Sequence, residues 1–251
     1  NPKTPYFAPG QPWEYEIQSV WEMESDDFVE EVSVPQYVMR KEGSYRARVR
    51  MRNGTRSWSR WSVPVEFVAG EPDLSMFRGS LAFSEIMYHP KSRAKVSDSD
   101  YEFLELKNTG KQTLDLSGLF FSSGLEFVFP QGSTLAPGKR FVIGRNKAVL
   151  EAAYPGLKVD GVYEDKLANQ GETLSLAAGR GVPVLSLTYG DEAPWPAKAD
   201  GAGYSLVADG VSETGYRASA EIGGTPGKDE RGQAPPRKLV IERFSTDRIQ
   251  I

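Results

Sequence analysis

Two glutamates, Glu85 and Glu105, stand inside the apolar runs Leu81 to Tyr88 and Glu102 to Lys107. Paired carboxylates are what acid–base hydrolysis requires. Each serves equally well as the partner of a lysine, an arginine or backbone amides, and no long substrate-binding loops accompany them, so no catalytic residues are expected. The lone histidine, His89, precedes Pro90 with no serine in a nucleophile-elbow context, which fits a solvated or locally bonded loop residue. Asp98, Asp100 and Glu102 alternate in a serine-rich loop, and calcium takes oxygen ligands of this kind. The loop lacks the glycine and closing glutamate of an EF-hand, so a solvated charge run is the preferred reading and calcium the lesser one. Gly179-Arg180-Gly181 is a two-glycine turn without the strand–glycine–helix context of a phosphate loop.

Two aromatic features could bind a partner. Trp195, held between Pro194 and Pro196, could stack on a sugar ring or anchor a protein; alternatively it folds back as a lid on one end of a sandwich, with Tyr204 beside it. The lid is preferred. In the run Tyr45 to Arg52 the period is two, so Tyr45, Ala47, Val49 and Met51 share one face and Arg46, Arg48, Arg50 and Arg52 the other. After a turn at Asn53-Gly54, Trp58 and Trp61 are three apart and align on one side of an extended segment. Arg46, Arg48 and Arg50 can then interleave with Trp58 and Trp61 as a cation–π ladder, each contact worth about 0.5 to 2 kcal/mol. Such a ladder is either an exposed recognition surface or, as preferred here, a self-satisfied stack that stiffens its domain.

The elements that must position these residues are strands. Short apolar runs recur at Glu14 to Trp21, Tyr45 to Met51, Val63 to Val68, Leu81 to Tyr88, Glu102 to Lys107, Leu119 to Ser122, Leu125 to Phe129, Phe141 to Gly144, Thr173 to Ala177, Val184 to Tyr189 and Tyr204 to Val207. They are punctuated by many of the 25 glycines and 17 prolines, which is the all-β pattern. One helix is expected, Lys147 to Tyr154, capped by Asn146 and stopped by Pro155-Gly156, with Leu150 and Tyr154 on its buried face. Strand following strand without crossover helices predicts antiparallel sandwiches rather than a parallel α/β sheet.

Composition removes other functions. The 34 acidic and 30 basic side chains of the 251-residue chain leave a net charge of −4, with no field to attract nucleic acid or anionic lipid. Zero cysteines exclude disulfides and thiolate metal sites, one histidine excludes sites that need two imidazoles, and no cofactor is expected. No apolar run approaches a membrane span. The chain starts at Asn1 without a signal-peptide pattern and is expected to be a fragment of something longer.

Trp58-Ser59-Arg60-Trp61-Ser62 after an arginine-alternating strand resembles the last strands of a fibronectin type III domain with its WSxWS box. That resemblance implies a structural sandwich with Tyr45 in its core, truncated at its start. Further on stand Ser84-Glu85-Ile86-Met87-Tyr88, Glu102-Phe103-Leu104-Glu105-Leu106, Leu116-Ser117-Gly118, Phe129-Pro130, Leu135-Ala136-Pro137-Gly138, Asn169-Gln170-Gly171-Glu172, Tyr189-Gly190-Asp191 and Thr225-Pro226-Gly227. In this order they resemble the lamin tail domain, an immunoglobulin-like β-sandwich, in its bacterial form. The expected organisation is a partial fibronectin type III-like domain over 1–70, a linker over 71–80, the lamin tail-like domain over 81–227, a charged linker over 228–238, and the opening of another β domain over 239–251. The resemblance implies a non-catalytic module of a larger exported or cell-surface protein. Its partners would be neighbouring domains and an unidentified protein or polysaccharide; a carbohydrate-binding module, with or without the assistance of calcium, is the alternative, and nucleic acid a weaker one.

Overall fold

The computed structural model describes residues 19–27, 32, 34, 38–39, 42–70, 74–92, 96–179 and 181–230. The strand expected over Glu14 to Trp21 lies outside them up to residue 18, and residues 19–21 are not strand. The domain expected over 239–251 also lies outside them. The chain divides into two compact units, Asn1–Asp73 with Ala178–Val182, and Leu74–Ala177 with Pro183–Ile251.

In the first unit, β1 (Ser44–Ala47) pairs antiparallel with β2 (Val65–Val68), setting Tyr45 opposite Phe67 with the rings stacked at 5.9 Å. The regular strand stops at Ala47 rather than Met51. Beyond it, Val49 and Met51 face the segment 59–62 through their backbone. Ser59 and Ser62 N–H donate to the Met51 and Val49 carbonyls, and their hydroxyls accept from Met51 and Val49 N–H. A serine hydroxyl takes the place of a ladder carbonyl there, so hydrogen bonding continues where strand geometry ends. Val49 and Met51, expected on the same strand face as Tyr45, are 70% and 67% exposed, because no second layer of described residues covers them.

The second unit is a sandwich. Its larger sheet has the order β13-β12-β3-β4-β8-β9, with β3 (Leu81–Met87), β4 (Phe103–Asn108), β8 (Arg140–Gly144), β9 (Gly161–Val162), β12 (Leu206–Ala208) and β13 (Tyr216–Ala218). The smaller has the order β11-β10-β6, with β6 (Phe120–Ser123), β10 (Gly171–Ala178) and β11 (Val182–Gly190). A third, two-stranded pair joins β5 (Leu114–Asp115) antiparallel with β7 (Thr134–Leu135). The two main sheets meet where Phe83 faces Phe121 at 6.2 Å and Tyr88 faces Tyr189 at 4.8 Å.

Among the described residues, the ladders β1–β2, β3–β4, β3–β12, β4–β8, β5–β7, β6–β10 and β12–β13 are antiparallel, and β8 pairs with β9 in parallel. The exception has a cause: α1 (Lys147–Ala153) does cross over between these two strands, contrary to the expectation that no helix would. Asn146 caps α1 through its side chain, 3.3 Å from Val149 N–H, and Leu150 is buried. Leu125 to Phe129, expected as a strand, is a loop bridged once, Phe120 to Val128. There Phe127, Phe129 and Phe141 cluster with ring centroids 5.0 to 6.3 Å apart. Backbone hydrogen bonds still tie the segment to residues 118–121: Phe129 N–H donates to the Leu119 carbonyl, Gly118 N–H to that of Phe129, and Phe121 N–H to that of Phe127.

The outer face of the larger sheet is covered in two different ways. On β3 and β4 the cross-strand pairs Met87–Phe103 and Glu85–Glu105 point outward. The first pair joins Val142, Leu150 and Val159 in an apolar cluster beneath α1, with Tyr154 and Leu157 packed against it. Glu85 and Glu105 lie beneath residues 224–230.

Candidate functional site

Glu85 and Glu105 are both buried, although strands of a sandwich ordinarily fill such positions with apolar side chains. Like charges opposite each other across a ladder repel. What makes them tolerable is the irregular segment laid over them. Thr225 and Gly227 belong to no ladder, so their N–H groups need acceptors. Thr225 N–H donates to Glu85 Oε1 at 2.8 Å, and Gly227 N–H to Glu105 Oε2 at 2.6 Å. Ser205 Oγ donates to Glu85 Oε1, Ser84 Oγ to Glu105 Oε1, both at 2.6 Å, and Arg140 Nε reaches Glu105 Oε1 at 3.0 Å. Burial first, and the Glu105 charge second, push the Glu85 carboxyl up to about 8, so it is largely protonated at neutral pH. Burial also raises Glu105, while Ser84, Gly227 and Arg140 oppose the rise.

The covering strap continues past the expected boundary at 227. Asp229 accepts from Lys107 Nζ at 2.7 Å and pairs with Arg140, and Glu230, itself buried, pairs with Arg217 and accepts from Ala220 N–H. Residues 228–230, expected to begin a linker because they lack apolar surface, therefore pack on the sheet through charge pairs instead. Gly224 has φ +72° and passes so close to Glu85 that a Cβ there would sit 2.0 Å from Oε1. These carboxylates are thus fasteners, with their oxygens committed to the strap and its supports.

At one edge of the sandwich a cavity of about 390 Å³ is lined by His89, Ser97, Asp98, Glu102 and the loop Lys166–Gln170, among others. His89 Nδ1 donates to Asp200 Oδ1 at 2.6 Å. Glu102 is 2% exposed; its Oε2 accepts from Tyr163 Oη at 3.1 Å and from Leu167 N–H at 2.9 Å. Burial pushes its carboxyl up to about 7. The three acidic residues considered for calcium do not converge. Asp98 and Asp100 lie on a 3-10 turn, whose three residues per turn separate positions that an extended loop would align. Asp100 pairs with Arg145 at 2.9 Å, and Asp98 accepts from Ser92 Oγ and Ser99 N–H. Among the described residues, no three His, Cys, Asp or Glu side chains gather as a metal site would need.

The aromatic candidates take the following positions. Arg50 lies between both indoles, its guanidinium 4.2 Å from the Trp58 ring and 4.4 Å from the Trp61 ring, and Arg52 stands 5.2 Å from Trp58. Arg46 instead pairs with Glu66 across the β1–β2 ladder, and Arg48 is on the exposed stretch that follows β1. Arg52, not counted in the expected ladder, also pairs with Glu24 and Asp26. Trp195 packs against Tyr216 at 6.0 Å and lies over Gly190, where a Cβ would come within 3.2 Å of its ring. Tyr204 meets the Lys198 ammonium at 5.4 Å. The strap itself carried no signal in the sequence beyond Thr225-Pro226-Gly227, since its acceptors lie about 120 to 140 positions earlier in the chain.

Residues 76–191 match the family model of the lamin tail domain. The all-β, immunoglobulin-like class expected from the resemblance agrees with this match and with the two sheets. A search of curated proteins finds none that matches the chain. Among the described residues, no helix is long and apolar enough to cross a membrane.

Proposed function

We propose that this sandwich, similar over its central part to the lamin tail domain, acts as a structural and interaction module of a larger exported or cell-surface bacterial protein, preceded by a fibronectin type III-like domain. The observation that carries the non-catalytic reading is the commitment of Glu85 and Glu105. The pair that could have performed acid–base chemistry holds Thr225 and Gly227 in place. A partner-facing feature is the outer edge of β11, nine residues long and at the margin of its sheet. Strand addition to such an edge uses backbone groups for affinity and alternate side-chain pockets for choice of partner.

Two measurements test the reading. Surface labelling of intact producing cells should reach the protein; labelling only after lysis overturns the exported placement. The purified chain, incubated with polysaccharide and phosphodiester substrates, should release no product; turnover abolished by both Glu85→Gln and Glu105→Gln would establish an enzyme. The polysaccharide alternative based on Trp195 has less support, since one side of that ring is taken up by Gly190 and Tyr216. A glycan array with wild type and Trp195→Ala decides it.

A further inference from the structure

Exposed sheet edges are hazardous, and folded chains guard them by keeping them short, charging them or covering them. Most edges among the described residues are guarded. β5, β7 and β9 have two residues each, and the β1–β2 ladder carries the Arg46–Glu66 pair. β13 has three residues, among them Arg217, which pairs with the buried Glu230. β6 is covered by the segment 127–129, whose Phe127 carbonyl accepts from Phe121 N–H and whose Val128 bridges Phe120. β11 differs: it is nine residues long, residues 181–190 hold no charged side chain, and only Pro183, near its start, is of the kind that discourages pairing. The core is also unfinished along this edge. Leu174 and Leu176 of β10 are buried, whereas Leu185 and Leu187 of β11 are only half-buried. On the other face of β11, Ser186 and Thr188 pair through their hydroxyls with Ser175 and Thr173 of β10, each at 2.8 Å. β11 thus shows on its occupied side what it accepts as a neighbour, a strand with leucines inward and hydroxyls outward. β11 has that same pattern, so a second copy of it supplies the missing neighbour. Charge sets the direction. Asp191 and Glu192 follow the strand directly; parallel pairing would lay them beside their copies, whereas antiparallel pairing sends the two acidic ends apart.

We propose that the chain dimerises by antiparallel pairing of β11 with β11 of a second copy, centred on Ser186, joining their two three-stranded sheets into one. Ser186 then faces Ser186 of the second copy. Leu185 faces Leu187 of the second copy on the inner side, and the reciprocal pair closes the gap in the other core. This assignment rests on the reading of β11 as the partner-facing edge and names the occupant of that edge.

The chain has no cysteine, so a single one introduced on β11 reports the pairing. Residues directly opposite in an antiparallel pair have Cα atoms about 4.5 to 5.5 Å apart, within disulfide reach. Under mild oxidation of the whole chain, Ser186→Cys should form a disulfide-linked dimer at least about tenfold faster than Thr188→Cys, whose two copies would lie about 13 Å apart along the strands. Sedimentation should show the wild type dimerising as its concentration rises. Ser186→Lys, which sets two ammonium groups opposite each other, should weaken that association about tenfold while the dilute protein still unfolds cooperatively. Should the lysine variant fold poorly, the two cysteine variants decide alone. A chain monomeric at every concentration overturns the second copy as occupant and leaves the edge to other partners. Equal cross-linking at the two positions overturns this pairing, and a dimer indifferent to Ser186→Lys overturns the β11 edge itself as the docking side.

Discussion

Glu85 shows how one side chain can make stability depend on pH. Its carboxyl is raised from 4.5 to about 8 by burial and by Glu105, so folding favours the protonated form. The stabilisation it contributes is therefore complete below pH 4.5 and is lost progressively as pH rises through 8. Glu85→Gln keeps an acceptor for Thr225 and Ser205 and removes the titration. The expected outcome is a Tm that falls less between pH 5 and 8 than in wild type, measured by thermal unfolding across that range; an unchanged slope would assign the dependence to other groups. Glu85 and Glu105 were legible in the sequence as misfits in apolar runs, but their role was not, because the donors they serve are distant in the chain. Asp98, Asp100 and Glu102, preferred as a solvated charge run with calcium as the lesser reading, differ in burial: Asp98 and Asp100 are half-buried on a 3-10 turn, while Glu102, just past it, is buried.

Elements with complete local signals were read correctly. α1 has an asparagine before it, Pro155-Gly156 after it and Leu150 on its inner face, and it occupies the expected place. Asn146→Ala should cost about 1 kcal/mol in chemical denaturation, as capping losses ordinarily do. The two-residue strands β5, β7 and β9 are too short to show a period, so nothing in their sequences announced them. The strap lacks periodicity altogether and is shaped by close approach. Gly224→Ala should destabilise the domain by about 2 kcal/mol or more, because φ is positive and the added methyl meets Glu85. Gly138→Ala, also at positive φ but with open space around it, should cost only about 1 kcal/mol. Equal losses in denaturant titrations would show that backbone conformation alone, and not the approach to Glu85, sets the penalty.

At the scale of the molecule, the two compact units should unfold as separable events. Trp61→Ala removes one of the two indoles around Arg50 and should lower a transition belonging to the first unit while leaving the sandwich transition in place; calorimetry reads both. The strap also governs when the sandwich can be finished. Its hydrogen bonds to β3 and β4 join residues 122 and 140 positions apart, from almost opposite ends of that unit. A ribosome delivers β3 and β4 long before it delivers residues 225 to 230. Until then Glu85 and Glu105 lack the donors of Thr225 and Gly227, so the nascent sandwich stays open to solvent along that seam, and the step that closes it comes only after every strand of the sandwich has been made.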